Sequence, residues 1–144
     1  MKNYKYLAFS LMIVLFSTVS CVKDEVFQDD TPNVAASSIK INEIMSTGDP
    51  DWIELYNASS ESVNLSGYKL TDTSQEWIID NLTIAAGSYV TFDCDDSNIP
   101  NVSTNFKISS GGEEITLYNA AGELIDQITT PDMSNQIGLT YGRE

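Results

Sequence analysis

From about residue 38 onward, apolar and polar residues alternate with a period of two, the pattern of strands that bury one face. The densest run is Asp51-Trp52-Ile53-Glu54-Leu55-Tyr56-Asn57. Trp52, Glu54 and Tyr56 project to one side of such a strand, and Ile53 and Leu55 to the other. Asp49-Pro50 before it and Asn57-Ala58-Ser59-Ser60 after it are turn chemistry, so both ends are marked.

The same reading divides the rest of the chain. Ile39 to Met45 alternates, but its phase puts Glu43 on the side of Ile39, Ile41 and Met45. A carboxylate on an apolar face must be hydrogen-bonded or lie at a strand's edge. Val63 and Leu65 begin an extended run that Gly67 interrupts and Tyr68 to Asp72 resumes. Glu76 to Ile79, Leu82 with Ile84, and Tyr89 to Cys94 follow, the last with Val90, Phe92 and Cys94 on one face. Asp95 to Thr104 is a long polar loop, and Asn105 to Ile108 is a short extended piece. Glu114 to Tyr118 faces Glu123 to Ile128 across Asn119-Ala120-Ala121-Gly122, the best-marked hairpin of the chain. Pro131 to Gly142 carries no strong pattern, and no closing strand is evident at its end. Short strands roughly every 8–12 residues, with no sustained helical period, predict an all-β domain built as a β-sandwich over residues 38–144.

Charge narrows the partners. The chain has 21 acidic residues against 7 basic ones, no histidine and a formal net charge of −14. Beyond Lys2 and Lys5 the cations Lys23, Lys40, Lys69, Lys107 and Arg143 are scattered. Gripping phosphates takes clustered cations, so direct nucleic-acid binding is not expected, nor is adsorption to an anionic membrane through charge. Lacking histidine, the chain also lacks the usual general base and the commonest transition-metal ligand.

The first residues read as an address. Lys2 and Lys5 precede the apolar run Leu7 to Phe16, and Ser17-Thr18-Val19-Ser20 is small and mostly polar. That order predicts a secretory signal peptide over residues 1–20, too short to span a membrane comfortably. Cys21 follows directly, which resembles the lipobox of bacterial lipoproteins, with Thr18 where leucine is usual. The resemblance implies that Cys21 is acylated and anchors the protein in a membrane. Lys23-Asp24-Glu25 resembles the export signal of surface lipoproteins of the Bacteroidota type, which implies an outer-membrane, cell-surface location. Read only as a solvated acidic linker, the same residues leave a periplasmic or secreted protein equally open. Residues 21–37 read as a flexible tether.

Within the domain, Ile41-Asn42-Glu43-Ile44, Asp51 to Asn57 and Val63-Asn64-Leu65-Ser66-Gly67-Tyr68-Lys69-Leu70-Thr71-Asp72 together resemble the lamin tail domain. The resemblance continues through Ala86-Gly87, Gly112 to Tyr118 and Ala121 to Asp126, and covers about residues 38–143. It implies an immunoglobulin-like β-sandwich with no catalytic residues, in which Glu43, Trp52, Glu54, Asn57, Gly67 and Asp72 are framework positions. Bacterial members usually continue past a Tyr-Gly-Arg element to a final strand that this sequence lacks. Either the chain is cut short or that strand is dispensable, and a missing strand would leave an open sheet edge.

Four groups of residues invite a chemical reading. Glu43 and Glu54 could form the carboxylate pair of a glycosidase, but their match to framework positions favours a structural role. Asp93, Asp95 and Asp96 make an oxygen-rich loop that is a weak calcium candidate, although the spacing is not that of an EF-hand; a solvated acidic loop explains it more simply. No other cofactor is expected. Cys94 shares its strand phase with Val90 and Phe92, as a buried hydrophobe would, and has no basic partner. Trp52, Tyr56, Tyr68, Trp77 and Tyr89 could form a platform for sugar or peptide, or serve as core and cover of two sheets. The sequence thus predicts a non-catalytic binding or scaffolding module for a protein or glycan. The runner-up is an accessory module of a secreted nuclease or hydrolase whose enzyme part lies outside this chain.

Overall fold

The computed structural model describes residues 38–143, which fall within the unit Pro32–Glu144. The expected signal peptide (1–20) and tether (21–37) lie outside the described residues.

Ten strands form the described domain, and no helix occurs among the described residues. One four-stranded antiparallel sheet has the order β10(Tyr141–Gly142)-β1(Ile39–Met45)-β2(Asp51–Asn57)-β7(Tyr89–Cys94). The other has the order β5(Glu76–Ile78)-β4(Lys69–Thr71)-β8(Glu114–Tyr118)-β9(Leu124–Thr129). A small two-stranded ribbon pairs β3(Val63–Asn64) with β6(Thr83–Ile84). The sheets share one core. Ile41, Ile44, Ile53, Leu55 and Phe92 come to it from the first sheet, and Leu70, Trp77, Ile115, Leu117 and Ile128 from the second. Trp77 meets Phe92 edge to face with ring centroids 5.0 Å apart, so aromatic contact joins the layers. The predicted sandwich is the observed fold.

The apparent anomaly at Glu43 is resolved by a β-bulge. Ile41 faces Leu55 and Glu43 faces Glu54, so Asn42 is an extra residue in β1. The extra residue resets the phase. Ile39, Ile41 and Ile44 are buried, while Glu43 and Met45 turn to the outer face. A strict period of two places Glu43 and Met45 with the core residues, and the bulge corrects that assignment.

The end of the chain also departs from expectation. Tyr141 and Gly142 do form a strand, antiparallel to β1 at Ile44 and Glu43. Gly142 is required there by space, because a Cβ on it would lie 2.7 Å from the Asn42 carbonyl oxygen. Two residues carry no readable alternation, which is why the pattern missed this strand. By contrast, Asn105 to Ile108 is not a strand, yet Phe106 and Ile108 are buried.

Candidate functional site

The outer face of the β10-β1-β2-β7 sheet collects most of the residues singled out in the sequence. Cross-strand register places Lys40, Tyr56 and Tyr89 in one row, Glu43, Glu54 and Thr91 in the next, and Met45, Trp52 and Asp93 in a third. Tyr56 and Tyr89 stack with centroids 4.6 Å apart and rings inclined by 25°. Tyr89 is 55% exposed.

The five aromatic residues therefore divide. Trp52, Tyr56 and Tyr89 lie on the outer face, Trp77 is core, and Tyr68 packs against the core half-buried. Burial raises the Tyr68 hydroxyl above its ordinary pKa. Strand phase made Trp52 and Tyr56 legible as one side of β2. Nothing in a three-residue strand told Trp77 from its neighbours.

Glu43 and Glu54 are direct cross-strand partners, as a carboxylate pair would need to be. Each is engaged separately. Glu43 Oε1 accepts from the Thr140 hydroxyl, which ties the approach of β10 to β1. Glu54 Oε1 accepts from Asn42 Nδ2 at 2.8 Å, so the bulge residue braces it. Both lie half-buried on an open sheet surface. The partners of both carboxylates are side chains.

Asn57 ends β2 wholly buried, and every polar atom of its side chain is used. Nδ2 donates to the carbonyls of Glu61 (2.7 Å), Ile84 (3.1 Å) and Ala85 (3.1 Å), and Oδ1 accepts from the Ser59 N–H and hydroxyl. This one amide fixes the loop after β2 to the segment after β6. Gly67 sits at φ +82°, where a Cβ would press on Ala120 at 3.1 Å. Asp72 accepts from the N–H groups of Ser74 and Gln75, shaping the turn between β4 and β5.

Asp93, Asp95 and Asp96 do not converge. Among the described residues no cluster of three or more His, Cys, Asp or Glu side chains is placed to hold a metal ion. Asp93 lies on the outer face through its strand phase. Asp95 turns into the loop, where it accepts from the Ser103 hydroxyl and the Ser97 N–H, and these bonds lower its pKa to about 2. Asp96 is exposed at φ +68°. The loop spends its oxygens on its own shape. Cys94 is buried, and burial pushes its thiol up to about 12. Cys21 and Lys23-Asp24-Glu25 lie outside the described residues.

A separate groove of about 300 Å³ runs beside β5, lined by Glu76, Trp77, Ile78, Asp80, Asn98, Pro100 and Asn105. Asn105 Nδ2 donates to the Glu76 carbonyl at 3.1 Å, and its Oδ1 is buried without a partner among the described residues. No regularity in the sequence pointed to this groove.

Asn42 is thus a brace within the bulge, Asn57 a buried amide and Gly67 a left-handed glycine. The family model described as Lamin Tail Domain matches residues 32–132. The chain belongs to the lamin tail domain family. Comparison with curated proteins finds no match. In this lamin tail domain the match ends before β10, and Arg143 closes the sandwich beyond it. Arg143 Nη2 meets Asp126 Oδ1 of β9 at 2.6 Å, and Asp126 Oδ2 accepts the Ile41 N–H of β1 at 2.8 Å. This clamp was missed in the sequence, where 17 residues separate the pair.

Proposed function

We propose that this lamin tail domain is a non-catalytic binding module, held by a lipid on Cys21 and displayed on the outer face of the outer membrane. Its outer sheet face would take a protein or glycan partner. The observation that carries this reading is the face itself: the Tyr56–Tyr89 stack, with Tyr89 exposed, beside carboxylates that are each already hydrogen-bonded. Such a surface offers stacking and hydrogen bonding without rearrangement. The bracing of Glu43 and Glu54 by Thr140 and Asn42 supports a framework role over acid–base work.

Two experiments test the two halves. In the native host, an alkyne fatty acid should label the wild-type chain but not Cys21→Ser, and protease added to whole cells should remove the domain. Unlabelled wild type, or a domain protected in intact cells, would overturn the anchoring. A ligand identified on a glycan or peptide array should be recovered intact after prolonged incubation. Its cleavage would overturn the non-catalytic reading.

A further inference from the structure

The edges of the two four-stranded sheets are not treated alike. The part of β1 that β10 leaves uncovered is closed by side chains, since the Ile41 N–H reaches Asp126 and the Ile41 carbonyl accepts from Arg143 Nε at 3.1 Å. On β9, the Gln127 carbonyl accepts from Arg143 Nη2 at 3.3 Å. On β5, Asn105 covers the Glu76 carbonyl, and just beyond the strand Asn101 Oδ1 accepts the Asp80 N–H at 3.0 Å. Side chains standing in for a missing strand are a common way to protect an edge.

The β7 edge is protected over only part of its length. Its ladder to β2 runs without a register shift, and Asn57 bonds to Ser88, so residues 88, 90, 92 and 94 face β2. Tyr89, Thr91 and Asp93 face away. Asp93 is covered, since its N–H donates to the Val102 carbonyl at 2.9 Å and its carbonyl accepts from the Thr104 N–H at 2.8 Å. The outward N–H and C=O groups of Tyr89 and Thr91 have no hydrogen-bond partner among the described residues. This window contains no proline, lysine or bulge.

We infer that the Tyr89–Thr91 edge of β7 is a docking site for an extended peptide that adds as a strand, with basic residues on its outer side and an apolar residue between them. This rests on the binding-module reading above and names its partner. Only a strand offers N–H and C=O groups alternating in step with Tyr89 and Thr91. Charge selects the side chains. Residues opposite Tyr89 and Thr91 would lie on the outer face, towards the Tyr56–Tyr89 stack and the carboxylates of Glu54 and Asp93. A cation there meets aromatic faces and acids together. The residue opposite Val90 points inward, where Val90 already packs half-buried on the core. A second copy fits poorly, because it brings together two chains of formal charge −14 each.

The test uses the full chain in detergent, with hydrogen exchange read residue by residue. The probes are a Lys-Val-Lys-Val-Lys peptide and its Glu-Val-Glu-Val-Glu counterpart. The basic peptide should slow exchange at Tyr89 and Thr91 by ~10-fold or more, and the acidic one should not. Thr91→Pro removes one outward donor and no bond to β2, so it should abolish the effect while the other core amides stay protected. Tyr89→Lys keeps the edge but should weaken the basic peptide several-fold. Unchanged exchange at Tyr89 and Thr91 would overturn the site, as would equal effects of the two peptides. Slow exchange there without peptide that rises with protein concentration would assign the edge to a second copy instead. Fatty-acid labelling and ligand recovery are read independently, so this site can fail while the module reading stands.

Discussion

Arg143 and Asp126 join the two ends of the domain's last hairpin and tail to its first strand. One guanidinium donates to the Asp126 carboxylate and to the carbonyls of Ile41 and Gln127, while its own backbone N–H donates to the Asn42 carbonyl. The Asp126 side chain is only 9% exposed, whereas that of Arg143 is 43% exposed. The pair should therefore matter unequally. Asp126→Ala strands the Ile41 N–H and the cation together and should cost about 2 kcal/mol. Arg143→Ala should cost about 1 kcal/mol, since water can reach the groups it leaves. Urea unfolding of both single variants and the double variant checks this, and the double variant should lose less than the sum.

Asn57 should tolerate neither truncation nor charge. Asn57→Ala removes the amide's bonds to three carbonyls and to the Ser59 N–H and leaves a cavity in the core, although the Glu61 carbonyl keeps the Ser59 hydroxyl and the Ala85 carbonyl keeps the Ser88 N–H, so it should cost about 2 kcal/mol. Asn57→Asp keeps the shape but turns an acceptor towards those carbonyls, so at neutral pH it should be no more stable than the alanine variant. Protonation returns one donor, so only the aspartate variant should regain ground in acid relative to wild type. Parallel urea titrations at neutral and acidic pH separate the two.

Two glycines in left-handed conformations separate backbone strain from steric fit. Gly87 has φ +64° and open space where a Cβ would stand, whereas at Gly112 (φ +93°) that atom would lie 2.7 Å from the Thr130 carbonyl oxygen. Gly87→Ala should cost about 1 kcal/mol, the conformational penalty alone. Gly112→Ala should cost at least about 2 kcal/mol, because backbone must also move. Comparable melting temperatures for the two would refute the distinction.

The loop after β7 makes a prediction about acid and metal. Asp95 is held near a pKa of about 2 first by the Ser103 hydroxyl and then by Ser97. A depressed folded-state pKa contributes stability above the ordinary carboxylate value of 3.8, and that contribution is lost as pH falls towards 2. Ser103→Ala should move the Asp95 titration, followed by carboxyl carbon NMR, back towards 3.8. Because those oxygens are already bonded, excess calcium should leave the melting temperature unchanged.

Much of this fold was legible because β2 and β7 keep a strict period of two, and because Asn119 to Gly122 marks the turn of the β8–β9 hairpin even though that ladder shifts register between Leu117 and Tyr118. The sandwich followed from pattern and resemblance. Four features escaped, for three physical reasons. A bulge shifts phase without leaving a sequence mark, so Glu43 was set on the wrong face. A two-residue strand has no period, so β10 was invisible. The Asp126–Arg143 clamp and the exposed Tyr89–Thr91 edge depend on which strands end up as neighbours, and local alternation says nothing of that.

Cys94 offers a readout of how the domain opens. Its thiol is pushed up to about 12, chiefly by burial, with the nearby carboxylates of Asp51, Asp93 and Asp95 adding to the shift. The thiolate is the reactive form, so the native protein should resist thiol reagents at mildly alkaline pH and react fully in urea. Labelling in native buffer should proceed only as fast as the β7 region opens, and should accelerate with any variant that destabilises the domain. The linkage has a definite sign. The folded thiol titrates above the ordinary value of 9.0, so the folded state holds this proton more tightly. Its contribution to stability is complete below 9.0 and declines as pH rises towards about 12. Cys94→Ala should flatten that alkaline decline relative to wild type, at the cost of a small cavity beside Phe92. An equally steep decline in the variant would show that another group controls it.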